Sequence, residues 1–123
     1  MKLGDHAEIT RQFTRLELSE FADLVGSCAK DDAAIPEPLL LSLFSFLLGV
    51  KLPGQGTNYL KQETQFFRPI AVGERLRARV CVVKLRPEKR LCDLSTEIFD
   101  ENGAKCVEGR ALVAYGDVEG AAA

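Results

Sequence analysis

Residues 35–54 read IPEPLLLSLFSFLLGVKLPG, and this stretch decides the fold. After Glu37, every residue up to Val50 is Leu, Phe or Val except Pro38, Ser42, Ser45 and Gly49. A helix that crosses a bilayer needs about 20 apolar residues. This run is shorter, is bounded by prolines and by Lys51, and lies mid-chain. Nor do Met1-Lys2-Leu3-Gly4-Asp5 open an export signal. Pro38 suits a first helical turn, where a missing N–H costs nothing, and Glu37 complements the positive end of the helix dipole. Leu39, Leu40, Leu43, Phe44, Phe46, Leu47 and Val50 then cover almost the whole circumference. A helix apolar all round is buried all round. The rest of the chain is therefore expected to wrap it.

Composition bounds what does the wrapping. A chain of 123 residues is one domain with room for a core, expected over 1–118, with 119–123 a frayed tail. Charged residues make up 28% and the net charge is −2, so no basic field argues for nucleic acid, and no membrane partner is expected. Cys28, Cys81, Cys92 and Cys106 form no C-x-x-C pair, and no histidine stands near them. No metal or cofactor is implied, and four reduced thiols in the cytoplasm is the plain reading. Gly54-Gln55-Gly56 follows a helix and lacks a third glycine, so it is not a dinucleotide fingerprint.

The remaining segments read as strands with one further helix. His6–Phe13 alternates, with Ala7, Ile9, Arg11 and Phe13 on one side. Thr14 and Glu17 match a capping box, and Leu18, Phe21, Ala22 and Val25 follow at helical spacing before Gly26. Strands are expected over Asn58–Phe67, Arg75–Lys84, Arg90–Phe99 and Ala104–Tyr115. Leu76, Ala78, Val80 and Val82 share one face, as do Cys92, Leu94, Thr96 and Ile98. Leu85–Lys89 links the second and third of these strands, and Asp100–Gly103 is a hairpin turn with Asn102 and Gly103 in left-handed positions. The pattern gives an α+β fold with four strands in antiparallel succession after a buried helix.

Several segments carry a resemblance in their order and spacing. They are Leu3-Gly4-Asp5, Phe21-Ala22, the helix Leu39–Ser45, the loop Leu52–Thr57, and Phe66-Phe67-Arg68-Pro69 through Gly73-Glu74. Leu85–Lys89 and Glu108-Gly109-Arg110-Ala111 complete the set. Together they resemble the MaoC-like (R)-specific enoyl-CoA hydratases. The resemblance implies a hotdog fold, a curved antiparallel sheet wrapped around a long central helix, with one short helix besides. It also implies a dimer acting on acyl-CoA or acyl-carrier-protein thioesters in fatty acid metabolism.

The catalytic motif is where the chain departs from that family. The family places G-D-x-N-P-[IL]-H after the short helix, its Asp and His activating water, and H-G-[ML] at the start of the central helix. Here Gly26 to Ile35 runs almost directly into the helix, and Pro36-Glu37-Pro38 stands where His-Gly-Met would be. The sole histidine is His6, in the first strand. Addition of water to an enoyl thioester needs both a base and an acid, each typically worth about 10²- to 10⁴-fold. Asp31 or Asp32 is a candidate for the missing Asp, but nothing nearby replaces the His.

The weak catalytic candidates are therefore Asp31, Asp32 and Glu37. The two aspartates read first as a solvated loop pair rather than a catalytic one, and Glu37 first as a dipole-complementing surface acid. Cys28 has only Lys30 nearby to favour its thiolate. Candidate substrate contacts are Leu39, Leu43 and Phe66 along an apolar tunnel. Arg75 and Arg77 read either as a solvated outer face or as a landing site for phosphates, which suit the planar guanidinium fork. Two function classes follow. One is a catalytically impaired subunit that binds an acyl thioester or pairs, as homodimer or heterodimer, with an active homologue. The other is an enzyme, either a hydratase with substitute residues or a thioesterase using Glu37.

Overall fold

A computed structural model of the chain describes residues 1–26 and 34–116. In chain order the elements are β1 (His6–Gln12), α1 (Arg15–Val25), α2 (Glu37–Phe46), β2 (Asn58–Phe66), β3 (Arg75–Arg86), β4 (Leu91–Phe99) and β5 (Lys105–Ala114). The apolar run forms α2, with Pro36 at its N-cap and Glu37 in the first turn, as its sequence dictates. Past Phe46 the helix widens into a π-helical turn, Leu47–Lys51, in which the Leu52 N–H reaches the Leu47 carbonyl at 2.8 Å.

The helix is not buried all round, which corrects the expectation from its composition. Leu40, Leu43, Phe44, Leu47 and Leu48 are buried, whereas Phe46 is 40% and Val50 63% exposed. The sheet covers α2 from one side, where it packs on β3, and the π-helical turn packs on β1 and β3. Ser42, Ser45, Phe46, Gly49 and Val50 look away from that cover.

The sheet has five strands in the order β1-β3-β4-β5-β2, every neighbouring pair antiparallel. This is the hotdog arrangement, a curved sheet around a central helix. One connection differs from the expected succession. β3, β4 and β5 form a meander, but β2 pairs with β5 at the far edge instead of with β3. The free side of β3 is taken by β1, from His6 opposite Cys81 to Gln12 opposite Arg75, so β2 has only the edge beside β5 left.

Alternation along the strands sets the inner face, as the sequence pattern implies. Leu76, Ala78, Val80 and Val82 of β3 and Cys92, Leu94, Thr96 and Ile98 of β4 are buried on the inner face with Val107, Ala111 and Val113 of β5. At roughly 1.5–3 kcal/mol for each large apolar side chain fully buried, this layer and α2 supply most of the favourable free energy of folding. α1 starts at the expected capping box: the Glu17 N–H donates to Thr14 Oγ1 at 3.2 Å and the Thr14 N–H to Glu17 Oε1 at 3.0 Å. Ala22 is buried, and Leu18 and Phe21 are half-buried. Val25 is exposed, because the last turn runs clear of the core.

The β4–β5 turn is closed by the Gly103 N–H on the Asp100 carbonyl at 3.0 Å. Only Gly103 is left-handed (φ +83°), not Asn102. Asp100 Oδ1 takes over part of the turn by accepting from the N–H groups of Asn102 and Ala104, both at 2.9 Å. That arrangement is a turn followed by a one-residue bulge, which needs a single left-handed residue. No helix among the described residues is long and apolar enough to cross a membrane.

Replacing Leu43, 5% exposed, by Ala is expected to lower unfolding free energy in urea by about 2–5 kcal/mol. Phe46→Ala is expected to cost less than half as much, since much of that ring already faces water. Equal losses at both positions would contradict the one-sided burial of α2.

Candidate functional site

Among the described residues, the polar groups on the inner face of the sheet gather at β2. Leu60 sits in a β-bulge: Tyr59 pairs with Val113 and Lys61 with Leu112. Residues three apart in a regular strand point to opposite faces. The extra residue resets that parity, so Tyr59 and Gln62 both face inward, opposite Val113 and Ala111. The Tyr59 hydroxyl donates to Gln62 Oε1. Gln62 Nε2 lies 2.8 Å from Thr64 Oγ1, 3.0 Å from Thr96 Oγ1 and 3.0 Å from the Glu63 carbonyl.

The backbone leaves room for this cluster at Gly109. A Cβ there would lie 2.1 Å from the Glu63 carbonyl oxygen, 2.9 Å from Gln62 Nε2 and 3.0 Å from Thr96 Oγ1. Thr96 is fully buried, Gln62 and Thr64 are half-buried, and Tyr59 is 38% exposed. Burial pushes the Tyr59 phenol up to about 12, so near neutral pH it is a proton donor and not a base.

The residues singled out from the sequence fall in three places. Leu43 belongs to the core cluster, and the partly buried Leu39 and Phe66 pack against that cluster, so these three are brought together. Glu37 is exposed at the start of α2, where no side chain caps the helix. Arg75 and Arg77 lie on the outer face of β3, away from the apolar three. Arg77 is held by Glu8 at 2.9 Å and stacks over the Phe99 ring at 4.5 Å. Asp31, Asp32, Cys28, Lys30 and the tail 119–123 lie outside the described residues.

The other chemically interesting groups are accounted for structurally. His6 is exposed on edge strand β1. Burial, aided by the Asp93 charge, pushes the Cys92 thiol up to about 11, and burial also raises Cys106, so neither is an activated nucleophile. No group of His, Cys, Asp and Glu among the described residues could hold a metal ion.

One ionic cluster centres on Arg68, whose guanidinium donates to Glu74 Oε1 at 2.8 Å, Glu74 Oε2 at 3.1 Å and Asp100 Oδ2 at 3.1 Å. Glu74 Oε2 also accepts the Ala71 N–H at 2.7 Å. The cluster ties the β2–β3 loop to the β4–β5 hairpin. Arg68 and its two carboxylates make their bonds to one another, so the cluster is a clasp and not a ligand site.

The sequence as a whole has known relatives. The chain is 35% identical over 126 residues to the (R)-specific enoyl-CoA hydratase of Aeromonas caviae, with 92% of this chain and 94% of that protein covered. The chain belongs to the MaoC-like (R)-specific enoyl-CoA hydratase family. The solved structure of an (R)-hydratase from A. caviae, described as involved in PHA biosynthesis, superposes with a TM-score of 0.88 at 35% identity. That superposition covers 94% of this chain and 98% of the hydratase. A mitochondrial 3-hydroxyacyl-[acyl-carrier-protein] dehydratase of Solanum lycopersicum is 30% identical over 92 residues, 70% of this chain and 54% of that protein. No family model matches the sequence. The A. caviae match runs over more residues, 126, than the 123 of this entire chain, so that hydratase carries residues with no counterpart here.

The Arg68 clasp has a pH signature. Its guanidinium holds Glu74 below its ordinary 4.5, and the Ala104 N–H, then Arg68, hold Asp100 below its ordinary 3.8. The unfolded chain therefore binds more protons on acidification. This stabilisation is complete at neutral pH and fades as pH falls through those ordinary values toward the lower folded ones. Arg68→Leu is expected to lower the thermal midpoint at neutral pH and to flatten its fall between about pH 5 and pH 3. A variant whose midpoint keeps the wild-type acid slope would show that the clasp is not its source.

Proposed function

We propose that this hotdog protein serves cytoplasmic acyl-thioester metabolism as a catalytically impaired member of the hydratase family. It binds acyl-CoA or acyl carrier protein thioesters, or pairs with an active homologue. The observation that carries this reading is the absence of any histidine besides His6. The chain has one histidine, His6, exposed on edge strand β1, and its match to an active relative leaves part of that relative unpaired. Glu37 and Pro38 at the start of α2 supply no substitute for a histidine, and Pro38 has no N–H to donate.

Binding survives such a loss. The acyl chain lies along the partly buried Leu39 and Phe66, over buried Leu43, while Arg75 and Arg77, on the other face of the sheet, meet the phosphates of coenzyme A or the acidic surface of a carrier protein. Arg75 and Arg77 are both exposed, and Arg77 would exchange its Glu8 partner for the ligand. The chain acts as a dimer. Among the described residues β1 and β2 are open sheet edges, and Phe46, Val50, Leu60 and Phe67 leave apolar surface in water. A second hotdog subunit, this chain or a homologue, pairs the edge strand and covers that surface.

Three measurements test the reading. Hydration of crotonyl-CoA by the isolated protein is expected at least about 10²-fold below the rate of an (R)-hydratase, because both members of the pair are missing. Clear turnover abolished by Asp31→Asn or Glu37→Gln would overturn the impairment and identify the replacement catalyst, and thiol release abolished by Glu37→Gln alone would establish a thioesterase. Acyl-CoA binding is expected to weaken in Arg75→Ala and Arg77→Ala, more at low salt than at high salt. Sedimentation is expected to show a species of twice the 13.5 kDa chain mass, and a monomer at micromolar concentration would remove the self-paired form.

A further inference from the structure

Charge on the outer face of the sheet is sorted in a way that one chain does not need. Register aligns that face in level rows across β1, β3, β4, β5 and β2. One row reads His6, Cys81, Ser95, Arg110 and Glu63, and the next Glu8, Arg79, Glu97, Glu108 and Gln65. Over the β4–β5–β2 side of these rows lies a hollow of about 490 Å³, with Glu63, Gln65, Ser95, Glu97, Glu108 and Arg110 on its walls. Glu63 and Arg110 stand opposite each other, where an ion pair would close it. Instead Glu63 turns to Lys61 at 3.0 Å and Arg110 Nε to Asp93 at 3.1 Å. The walls carry three carboxylates and one guanidinium, and Lys105 meets two of the acids, Glu97 at 2.8 Å and Glu108 at 2.9 Å. The hollow stays acidic.

The neighbouring strand is the opposite. β3 carries Arg75, Arg77, Arg79, Lys84 and Arg86 and no acid, and Arg79 reaches Glu97 only at 3.9 Å. Interspersed charge would keep a lone chain soluble as well, whereas a basic strand beside an acidic hollow makes the face complementary to its own copy. β4 is the middle strand, so a two-fold axis along it sets β3 of one copy over β5 of another. Arg79 then stands over the partner's Glu108, whose row it shares, and the small Ser95 lies on the axis, where the sheets come closest. Glu97 meets the partner's Glu97, each neutralised by its own Lys105. Packed sheets cross at about 30°, which splays the corners and keeps Arg75 and Arg77 out of the contact. Five strands of about seven residues present roughly 24 by 23 Å, so two faces bury about 1,000 Å² in all, near the lower bound of a specific interface.

We propose that two copies of this chain pack back to back through the outer face of the sheet. The β3 row of each, centred on Arg79, sits in the acidic hollow around Glu108 of the partner subunit. This contact goes beyond the acyl-thioester reading and does not depend on it. It uses neither sheet edge, so together with edge pairing it builds an assembly of four chains.

Sedimentation of the full chain tests it. A four-chain species is expected at about 50 mM salt and the two-chain species at about 500 mM, because salt screens charge pairs at a surface. Arg79→Glu and Glu108→Arg each set like charges against one another, and each is expected to give only two chains at the low salt too. Mixing the two variants is expected to restore four chains, since opposite charges then meet at both contacts, a rescue that no effect within one chain produces. Thermal midpoints recorded alongside show that each variant is folded, and Glu108→Gln, at an exposed position, is expected to shift the balance the same way should Glu108→Arg unfold. A wild-type two-chain species that survives both variants overturns the back-to-back contact and leaves edge pairing standing. A two-chain species that both variants reduce to one chain upholds the contact and removes the edge-paired dimer. Four chains indifferent to salt and to both variants, or a wild-type monomer at low salt, overturn the contact.

Discussion

The rest of this molecule depends on burying one side of α2 against the inner face of the sheet. Leu40, Leu43, Phe44, Leu47 and Leu48 meet Leu76, Ala78, Val80, Leu94, Ile98 and Val113 in one contiguous cluster. Burial of that much apolar surface is what offsets the conformational entropy of ordering the chain. It also sets the sheet's shape, because a flat sheet would leave the flanks of the helix in water. The two strands beyond the meander then go to opposite edges, β1 beside β3 and β2 beside β5. The polar residues Gln62 and Thr64 of β2 stay only half-buried, while α2 packs on β3.

What was legible in the sequence is what local periodicity encodes. The 3.6-residue and two-residue repeats placed both helices and all five strands to within a residue or two, and the Thr14–Glu17 box fixed the start of α1. The inner rows of β3 and β4 followed from alternation, including buried Thr96. Long-range pairing carries no such local mark, so β2 was expected beside β3 when β1 already occupies that place. The exposure of Phe46 and Val50 was equally hidden, since an apolar pattern states what ought to be covered and not which molecule covers it.

The site was less legible for a related reason. Gln62 and Thr64 alternate with Lys61, Glu63 and Gln65, so β2 shows polar residues on both faces. That absence of an apolar face was the available signal, but strict alternation puts Tyr59 and Gln62 on opposite sides. One inserted residue reverses that parity. The arginine row on β3 was placed on the correct face, but its engagement by Glu8 and Glu97 comes from neighbouring strands and depends on register.

Fold and chemistry are separable here on energetic grounds. The central helix and sheet draw their stability from one buried apolar cluster, which contains no reacting group. On the proposed reading, the catalytic segment is dispensable for folding because that cluster lies elsewhere in the chain.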